Sequence, residues 1–322
     1  MVELKDIEQA YKRLDGKANK TPVMTSRTLN EMVDASVFLK CENFQRIGAF
    51  KFRGAFNKIS QLSSEQKKKG VITHSSGNHA QAVAIVAKLL HIKAVIVMPD
   101  NAPEVKVNAT KGYGAKIVFC ENNAEAREKT AQELINANGY TMIHPYDDDQ
   151  IIAGSGTAAY ELIKQVGELD YVFCPIGGGG LISGTAVATK GLSNSSIVIG
   201  VEPEMASDAY KSFKSGKIFS SIYPDTIADG LRTSLSERTF EYIKKYVDEI
   251  IIVSEKEIID AMKFLWERMK LVIEPSGAVP VAGIIKYKEK LKSKRVGAII
   301  SGGNIDLKDF FEKYYSIIPK ED

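Results

Sequence analysis

The chain has 322 residues, 44% of them hydrophobic, which is enough to bury a large core and excludes the disordered and collagen-like classes. Its 43 basic and 40 acidic residues are spread along the chain and leave a net charge of only +3, so neither nucleic acid nor an anionic membrane is an expected partner and a small molecule is. The N-terminal "MVELKDIEQAYKRL" is no targeting leader, and no apolar run approaches the ~18 residues of a spanning helix, so a cytoplasmic protein is expected.

In chain order, Val- and Ile-rich runs alternate with amphipathic segments. "SVFLK" (36–40) predicts a strand. "GAFKFRGAF" (48–56) then sets Lys51 between two phenylalanines among small residues. Such a lysine either lays its stem over apolar surface with its ammonium in water, or is kept where its neutral amine can form a Schiff base with a carbonyl. "VITHSS" (71–76) predicts a strand running into the helix "NHAQAVAIVAKLL" (78–90). Strands "AVIVMP" (94–99) and "AKIVFC" (115–120) precede the helix "NAEAREKTAQELINA" (123–137). "AGSGTAA" (153–159) reads as a glycine-rich turn, followed by strands "YVFCPI" (171–176), "SIVIGVE" (196–202) and "EIIIVS" (249–254). Ser254 with Glu257 three residues on is a capping box for the helix "EKEIIDAMKFLWERMK" (255–270), and "RVGAIIS" (295–301) is the last strand. The alternation predicts an α/β fold with an open, mostly parallel sheet whose nearly continuous apolar strands are covered on both faces. No linker-like stretch divides the chain, so a second domain would have to be woven into the first.

Ligands of such sheets bind beyond the carboxyl ends of the strands. The turns at "HSSGNHAQA", "AGSGTAA", "PIGGGGLISG" and "ISGGN" combine glycine with Ser or Asn. Gly177, Gly178, Gly179 and Gly180 enter a helix beginning near Leu181, and backbone amides there form an anion site that a phosphate can approach closely. The run lacks the lysine of a P-loop, and Ser183 stands where a dinucleotide fingerprint needs glycine, although Glu202 at the end of the next strand keeps a dinucleotide open. Cys41, Cys120 and Cys174 read as buried thiols, and His74, His79, His91 and His144 show no metal-ligand spacing. A reactive lysine, a phosphate cup and Ser/Asn/Gly turns converge on an aldehyde carrying a phosphate, hence pyridoxal phosphate.

"GAFKFRGA", "SSGNHAQA", "GGGGLISG", "TIADGLRTSL", "ERMKLVIEPSGA" and "SGGNIDL", in this order over roughly residues 5 to 310, resemble the serine racemase and serine/threonine dehydratase group of fold type II pyridoxal phosphate enzymes. The resemblance implies two open, mostly parallel sheets with flanking helices, tryptophan synthase β-like, with a large cofactor-binding domain at 1–60 and 148–322 and a small mobile domain at 61–147. Lys51 would hold the cofactor as a Schiff base and later act as the base on one face of the substrate's Cα. Phe50 would pack beside the ring, Asn78 would bond its phenolic oxygen, Gly177 to Gly180 its phosphate, and Ser301 would face the pyridine nitrogen. Ser76 would protonate the opposite face, or would simply cap the following helix. Ser75, Asn78 and His79 would line the pocket for the substrate carboxylate, Ser76 would also contact the substrate, and Arg127 would reach it on closure.

The same resemblance implies a Mg²⁺ or Ca²⁺ site made by Glu202, the carbonyl of Ala206 and Asp208, and an ATP effector site near Gln81, Lys106 and Tyr113. It implies a homodimer that racemises serine and eliminates water from serine or threonine to give a 2-oxo acid and ammonia. Because the chain ends at Asp322, no regulatory domain and no isoleucine inhibition are expected. The motif "TIADGLRTSL" also resembles threo-3-hydroxyaspartate ammonia-lyases, whose second carboxylate would need Arg127 or Arg232. Outside the group, a nucleotide-binding dehydrogenase or a binding module is the alternative.

Overall fold

The structure is a computed structural model and describes residues 1–102, 104–220 and 224–314. Its strands are β1 (Val23–Met24), β2 (Ser36–Cys41), β3 (Val71–His74), β4 (Ala94–Pro99), β5 (Lys116–Cys120), β6 (Thr141–Met142), β7 (Tyr171–Pro175), β8 (Ile197–Pro203), β9 (Glu249–Val253) and β10 (Arg295–Ile300). They sort into a six-stranded sheet, order β1-β2-β10-β7-β8-β9, and a four-stranded sheet, order β5-β4-β3-β6. Every pairing is parallel except β1 with β2. The strands read from the sequence are all present, because helices cover both faces of the sheets and the runs need no polar alternation: all of β4 is buried, as is β10 after its first residue. Two-residue β1 and β6 are too short to carry such a signal.

The expected capping box forms at the start of the helix Glu255–Met269, where Ser254 Oγ accepts from the Glu257 amide at 3.2 Å and Glu257 Oε2 accepts from the Ser254 amide at 2.7 Å. One expectation fails. "AGSGTAA" is not a turn but the interior of the helix Asp149–Val166, which starts at Asp148 with its carboxylate accepting from the Gln150 and Ile151 amides. Its glycines serve close packing. A Cβ at Gly154 would lie 2.7 Å from the Arg53 carbonyl oxygen, and one at Gly156 would lie 2.7 Å from that of Gly184. The helix therefore meets the helices Lys51–Ser60 and Gly180–Leu192 with backbones nearly touching.

The seam at the Lys51–Ser60 helix also contains a buried ion network. Arg53 Nε and Nη2 donate to Glu42 at 2.7 and 2.8 Å, Nη2 also reaches Glu161, and Lys40 Nζ lies 3.0 Å from Glu161. All four side chains are buried, with two positive and two negative charges. Cys41 and Cys174 are buried thiols, pushed up to about 12 by burial, whereas Cys120, at the end of β5, is half-buried rather than buried. Among the described residues no helix is long and apolar enough to cross a membrane.

Candidate active site

The carboxyl end of β10 and the segment before Lys51 hold each other. The Phe50 amide donates to the Ser301 carbonyl at 3.0 Å, and the Gly303 amide donates to that of Gly48 at 2.9 Å. Ile47 is held at a φ of 60°, a sparsely populated region for a β-branched residue, with its carbonyl accepting from Asn304 Nδ2. This clamp sets Lys51 as the first residue of its helix. The side chain is half-buried, Nζ donates to the Pro145 carbonyl at 2.8 Å, and the ammonium lies 5.1 Å from the centre of the Phe50 ring. Burial pushes its pKa down to about 8 against the opposing pull of Glu274, so the neutral amine is accessible near neutral pH.

The turn leaving β3 carries Ser75, Ser76, Gly77 and Asn78, all half-buried. Gly77 is the N-cap of the helix Asn78–Leu89 and no side chain caps it, so the capping role of Ser76 does not hold. Ser75 Oγ instead accepts from the Gly77 amide at 3.3 Å. Asn78 is pinned from two sides: Nδ2 donates to Glu274 Oε1 and Oε2 at 2.9 and 3.1 Å, and Oδ1 accepts from Asn304 Nδ2 at 2.8 Å. His79 is buried with Nε2 donating to the Ile143 carbonyl at 2.9 Å, and burial, then the Lys51 charge, bring its pKa down to about 3.

The glycine turn after β7 behaves as its composition requires. Gly179 has a φ of 88°, in the left-handed region, and a Cβ at Gly178 would come within 2.4 Å of the Tyr146 ring. The helix Gly180–Leu192 opens directly from it and leaves its first amides as donors. One short segment, 144–147, joins this turn to the lysine: Pro145 accepts from Lys51 while Tyr146 lies on Gly178 and Gly180. His144 turns the segment, with Nδ1 accepting from the Tyr146 and Asp147 amides at 3.3 and 2.8 Å. Its ring packs edge-on to Tyr146 at 4.7 Å and to His74 at 6.2 Å. Burial brings His144 down to about 4 and lowers His74 as well, so both are neutral at pH 7.

Of the residues expected at the site, Lys51, Phe50, Asn78, Ser301 and the glycine turn are thus tied into one framework. Arg127 lies on the helix Ala124–Asn138, half-buried, with Nε donating to the Asn123 carbonyl at 3.3 Å and its charge felt at His74. Arg232 is exposed, with Nε and Nη2 both donating to the Thr226 carbonyl. Glu202 and Asp208 are buried at the end of β8 and the start of the helix Asp208–Ser215. Glu202 accepts from the Ala209 and Tyr210 amides at 2.9 and 2.8 Å, yet burial, with Asp208 adding to it, pushes its carboxyl up to about 8. Ala206 is buried between them. Among the described residues no three or more His, Cys, Asp or Glu side chains converge as metal ligands. Gln81 is buried on the Asn78–Leu89 helix and Tyr113 packs at the edge of the same core, while the Lys106 side chain lies outside the described residues.

The sequence reading gave no role at the site to His144, Tyr146, Glu274 or Asn304. Glu274 and Asn304 stand inside quoted motifs and needed only a partner to become meaningful. His144 and Tyr146 follow a strand too short to be seen.

A lysine of lowered basicity joined through the 144–147 segment to a glycine-rich helix start, among the carboxyl ends of mostly parallel strands, defines a cofactor-dependent enzyme site. The model of the family described as "Pyridoxal-phosphate dependent enzyme" matches residues 14–302, and the chain belongs to that family. It is 50% identical over 306 residues to the L-threo-3-hydroxyaspartate ammonia-lyase of Saccharomyces cerevisiae, covering 95% of this chain and 94% of that one. It is 51% identical over 306 residues to the serine racemase of Schizosaccharomyces pombe, covering 95% of each. Among solved structures, the serine racemase of Dictyostelium discoideum superposes with a TM-score of 0.92 at 48% identity, covering 95% of this chain and 99% of that one. Maize serine racemase superposes at 0.94 and 42% identity, covering 98% of each. The protein is therefore an enzyme of fold type II within the racemase and ammonia-lyase branch of the family. The residues present fit pyridoxal phosphate: a lysine whose amine can be neutral, and a turn of glycines without side chains that opens directly into the first amides of a helix.

Proposed function

We propose that the enzyme racemises serine and also removes water from L-serine and L-threonine, releasing a 2-oxo acid and ammonia. The observation that carries the reading is the half-buried Lys51, of lowered pKa, whose charge reaches His79 just beyond a turn whose Ser76 is not spent on capping its helix. The 51% identity to a serine racemase supports it.

Bound pyridoxal phosphate supplies an electron sink for a carbanion at the substrate's Cα. Lys51 would anchor the cofactor, Phe50 would pack beside it, Asn78 would bond its phenolic oxygen, Gly177 to Gly180 would hold its phosphate and Ser301 would lie toward its ring nitrogen. Glu274 and Asn304 fix the orientation of the Asn78 amide. Ser75 and Asn78, with the amides at the start of the helix, receive the substrate carboxylate. His79, buried against the Ile143 carbonyl, braces that pocket and the 143–147 segment. Lys51 takes the Cα proton on its own face and Ser76 exchanges one on the other. Arg127 reaches the substrate as residues 61–147 close on the rest of the chain.

Two further sites belong to the reading. Glu202, the Ala206 carbonyl and Asp208 offer hard oxygen donors suited to Mg²⁺ or Ca²⁺, and the difficulty of ionising Glu202 in its buried setting is one that a cation would relieve. Gln81, Lys106 and Tyr113 would answer to an ATP effector, and the enzyme would be a cytoplasmic homodimer. A second reading, 3-hydroxyaspartate ammonia-lyase, is favoured by the charge of Arg127 felt at His74 and by the yeast relative. Product assays on L-serine, D-serine, L-threonine and threo-3-hydroxyaspartate side by side decide between them. D-serine from L-serine supports the first, and activity confined to 3-hydroxyaspartate overturns it.

A further inference from the structure

β3 and β6 are paired in parallel with Val71 opposite Thr141 and Ile72 opposite Met142. Two residues further along each strand direction this register sets His74 level with His144, and their rings meet edge to face at 6.2 Å. The pair stands at the carboxyl edge of the small sheet, where ligands of parallel sheets bind. His144 is the residue directly before the carbonyl that holds Lys51 Nζ. Two backbone amides donate to its Nδ1, which must therefore be the bare nitrogen, and a neutral ring then carries its hydrogen on Nε2. Protonating Nδ1 would break both bonds that turn the 144–147 segment.

We propose that His144, held in this tautomer and buttressed by His74, donates a hydrogen bond from Nε2 to the β-hydroxyl that leaves the substrate. The inference rests on the elimination activity proposed above but not on which hydroxy amino acid is used, since serine, threonine and 3-hydroxyaspartate all lose the same group. In the step, Lys51 takes the Cα proton, the electron pair of that bond forms the Cα=Cβ double bond, and the Cβ–O bond breaks with its pair on oxygen. The departing oxygen takes a proton from the Lys51 ammonium and leaves as water, which restores the neutral amine. His144 keeps its own proton throughout and stabilises the charge that develops on oxygen. The groups facing the pair are Lys51, Asp147 and Asp148 around His144, and Arg127 and Glu128 around His74.

The test uses His144→Asn in the holoenzyme, because Asn Oδ1 replaces Nδ1 as the acceptor of the turn while the Nε2 donor is lost. Its loss should be selective. Pyruvate release from L-serine should fall about 100-fold in kcat/KM, the scale of one removed oxyanion donor. Release from β-chloro-L-alanine, whose chloride needs no such help, and racemisation of L-serine, which breaks no C–O bond, should stay within about threefold on the same reasoning. His144→Gln, which restores a donor near the Nε2 position, should recover at least a tenth of the wild-type rate on L-serine. If wild type releases nothing from L-serine, that overturns the proposed reaction, and the comparison is made with threo-3-hydroxyaspartate in its place. Equal loss on hydroxyl and chloride substrates, or no loss on either, overturns the inference. So does an imidazole ¹⁵N spectrum of the cofactor-free protein showing Nδ1 of His144 protonated at pH 7.

Discussion

Lys51 Nζ and the carbonyl oxygen of Pro145 lie 2.8 Å apart, and this contact joins the helix that begins at the lysine to the segment whose next residue, Tyr146, lies on the glycine turn. A carbonyl is an acceptor only, so the contact accommodates a lysine that donates, charged or neutral. It gives no ionic stabilisation against burial.

The lysine's reactivity should therefore follow its lowered pKa. Protein freed of cofactor should recapture pyridoxal phosphate at a rate that rises about tenfold per pH unit below pH 8 and levels above it, because only the neutral amine attacks an aldehyde. Stopped-flow absorbance between pH 6 and 10 measures this. An inflection near the ordinary lysine value of 10.5 would remove the burial argument. Lys51→Ala should bind cofactor that borohydride can no longer fix to the protein.

Arg53, two residues along the same helix, should matter for stability. Arg53→Met leaves Glu42 and Glu161 buried with only Lys40 to balance them, changing a neutral network into one with net charge −1. Removing one member of such a buried set typically costs about 3–5 kcal/mol. Urea unfolding of the cofactor-free protein reads the loss directly, and a change below about 1 kcal/mol would show the network to be dispensable, on the scale expected of exposed pairs.

What could be read before the structure follows a physical line. Long parallel strands covered on both faces are continuous apolar runs, so β4 and β10 were legible, while Lys51, Asn78 and the glycine turn stand out in the sequence because they open helices next to small residues. Glycine alone is ambiguous, since a turn needs its φ and a close helix crossing needs its missing Cβ. Gly154 and Gly156 are the second case and read as the first. The supporting residues were hidden because their meaning lies in partners far along the chain: Asn78 meets Glu274 and Asn304 at separations of 196 and 226 residues, and Lys51 meets Pro145 at 94.

Glu202 yields a prediction with a definite sign. Its carboxyl titrates near 8 in the folded chain against 4.5 ordinarily, so between those values the folded state holds a proton that the unfolded state has lost. The stability this contributes is fully present below pH 4.5 and is lost as pH rises through 8. In EDTA the melting temperature should therefore decline across this window, Glu202→Gln should flatten the decline, and Mg²⁺ should raise the wild-type value at pH 8 by binding only the folded state. Identical melting curves in EDTA and Mg²⁺ would remove the cation from the account.

Ser76 separates the two reactions. Its turn is capped at Gly77 without a side chain, so Ser76→Ala should not weaken the Asn78–Leu89 helix, and the mutant should melt with wild type. Lys51 withdraws a proton only from the face it occupies, so racemisation needs a second group opposite, whereas elimination from L-serine does not. A general acid-base group is worth ~100-fold to 10,000-fold, and racemisation should fall on that scale in Ser76→Ala. Elimination from L-serine should survive within about tenfold, because its proton transfers run through Lys51. Elimination from D-serine begins with proton removal on the Ser76 face and should fall together with racemisation. The measurement is D-serine formation and pyruvate release from each enantiomer under one set of conditions. Parallel loss of all three rates would mean that Ser76 positions the substrate carboxylate instead, since a group acting on one face cannot slow a reaction confined to the other.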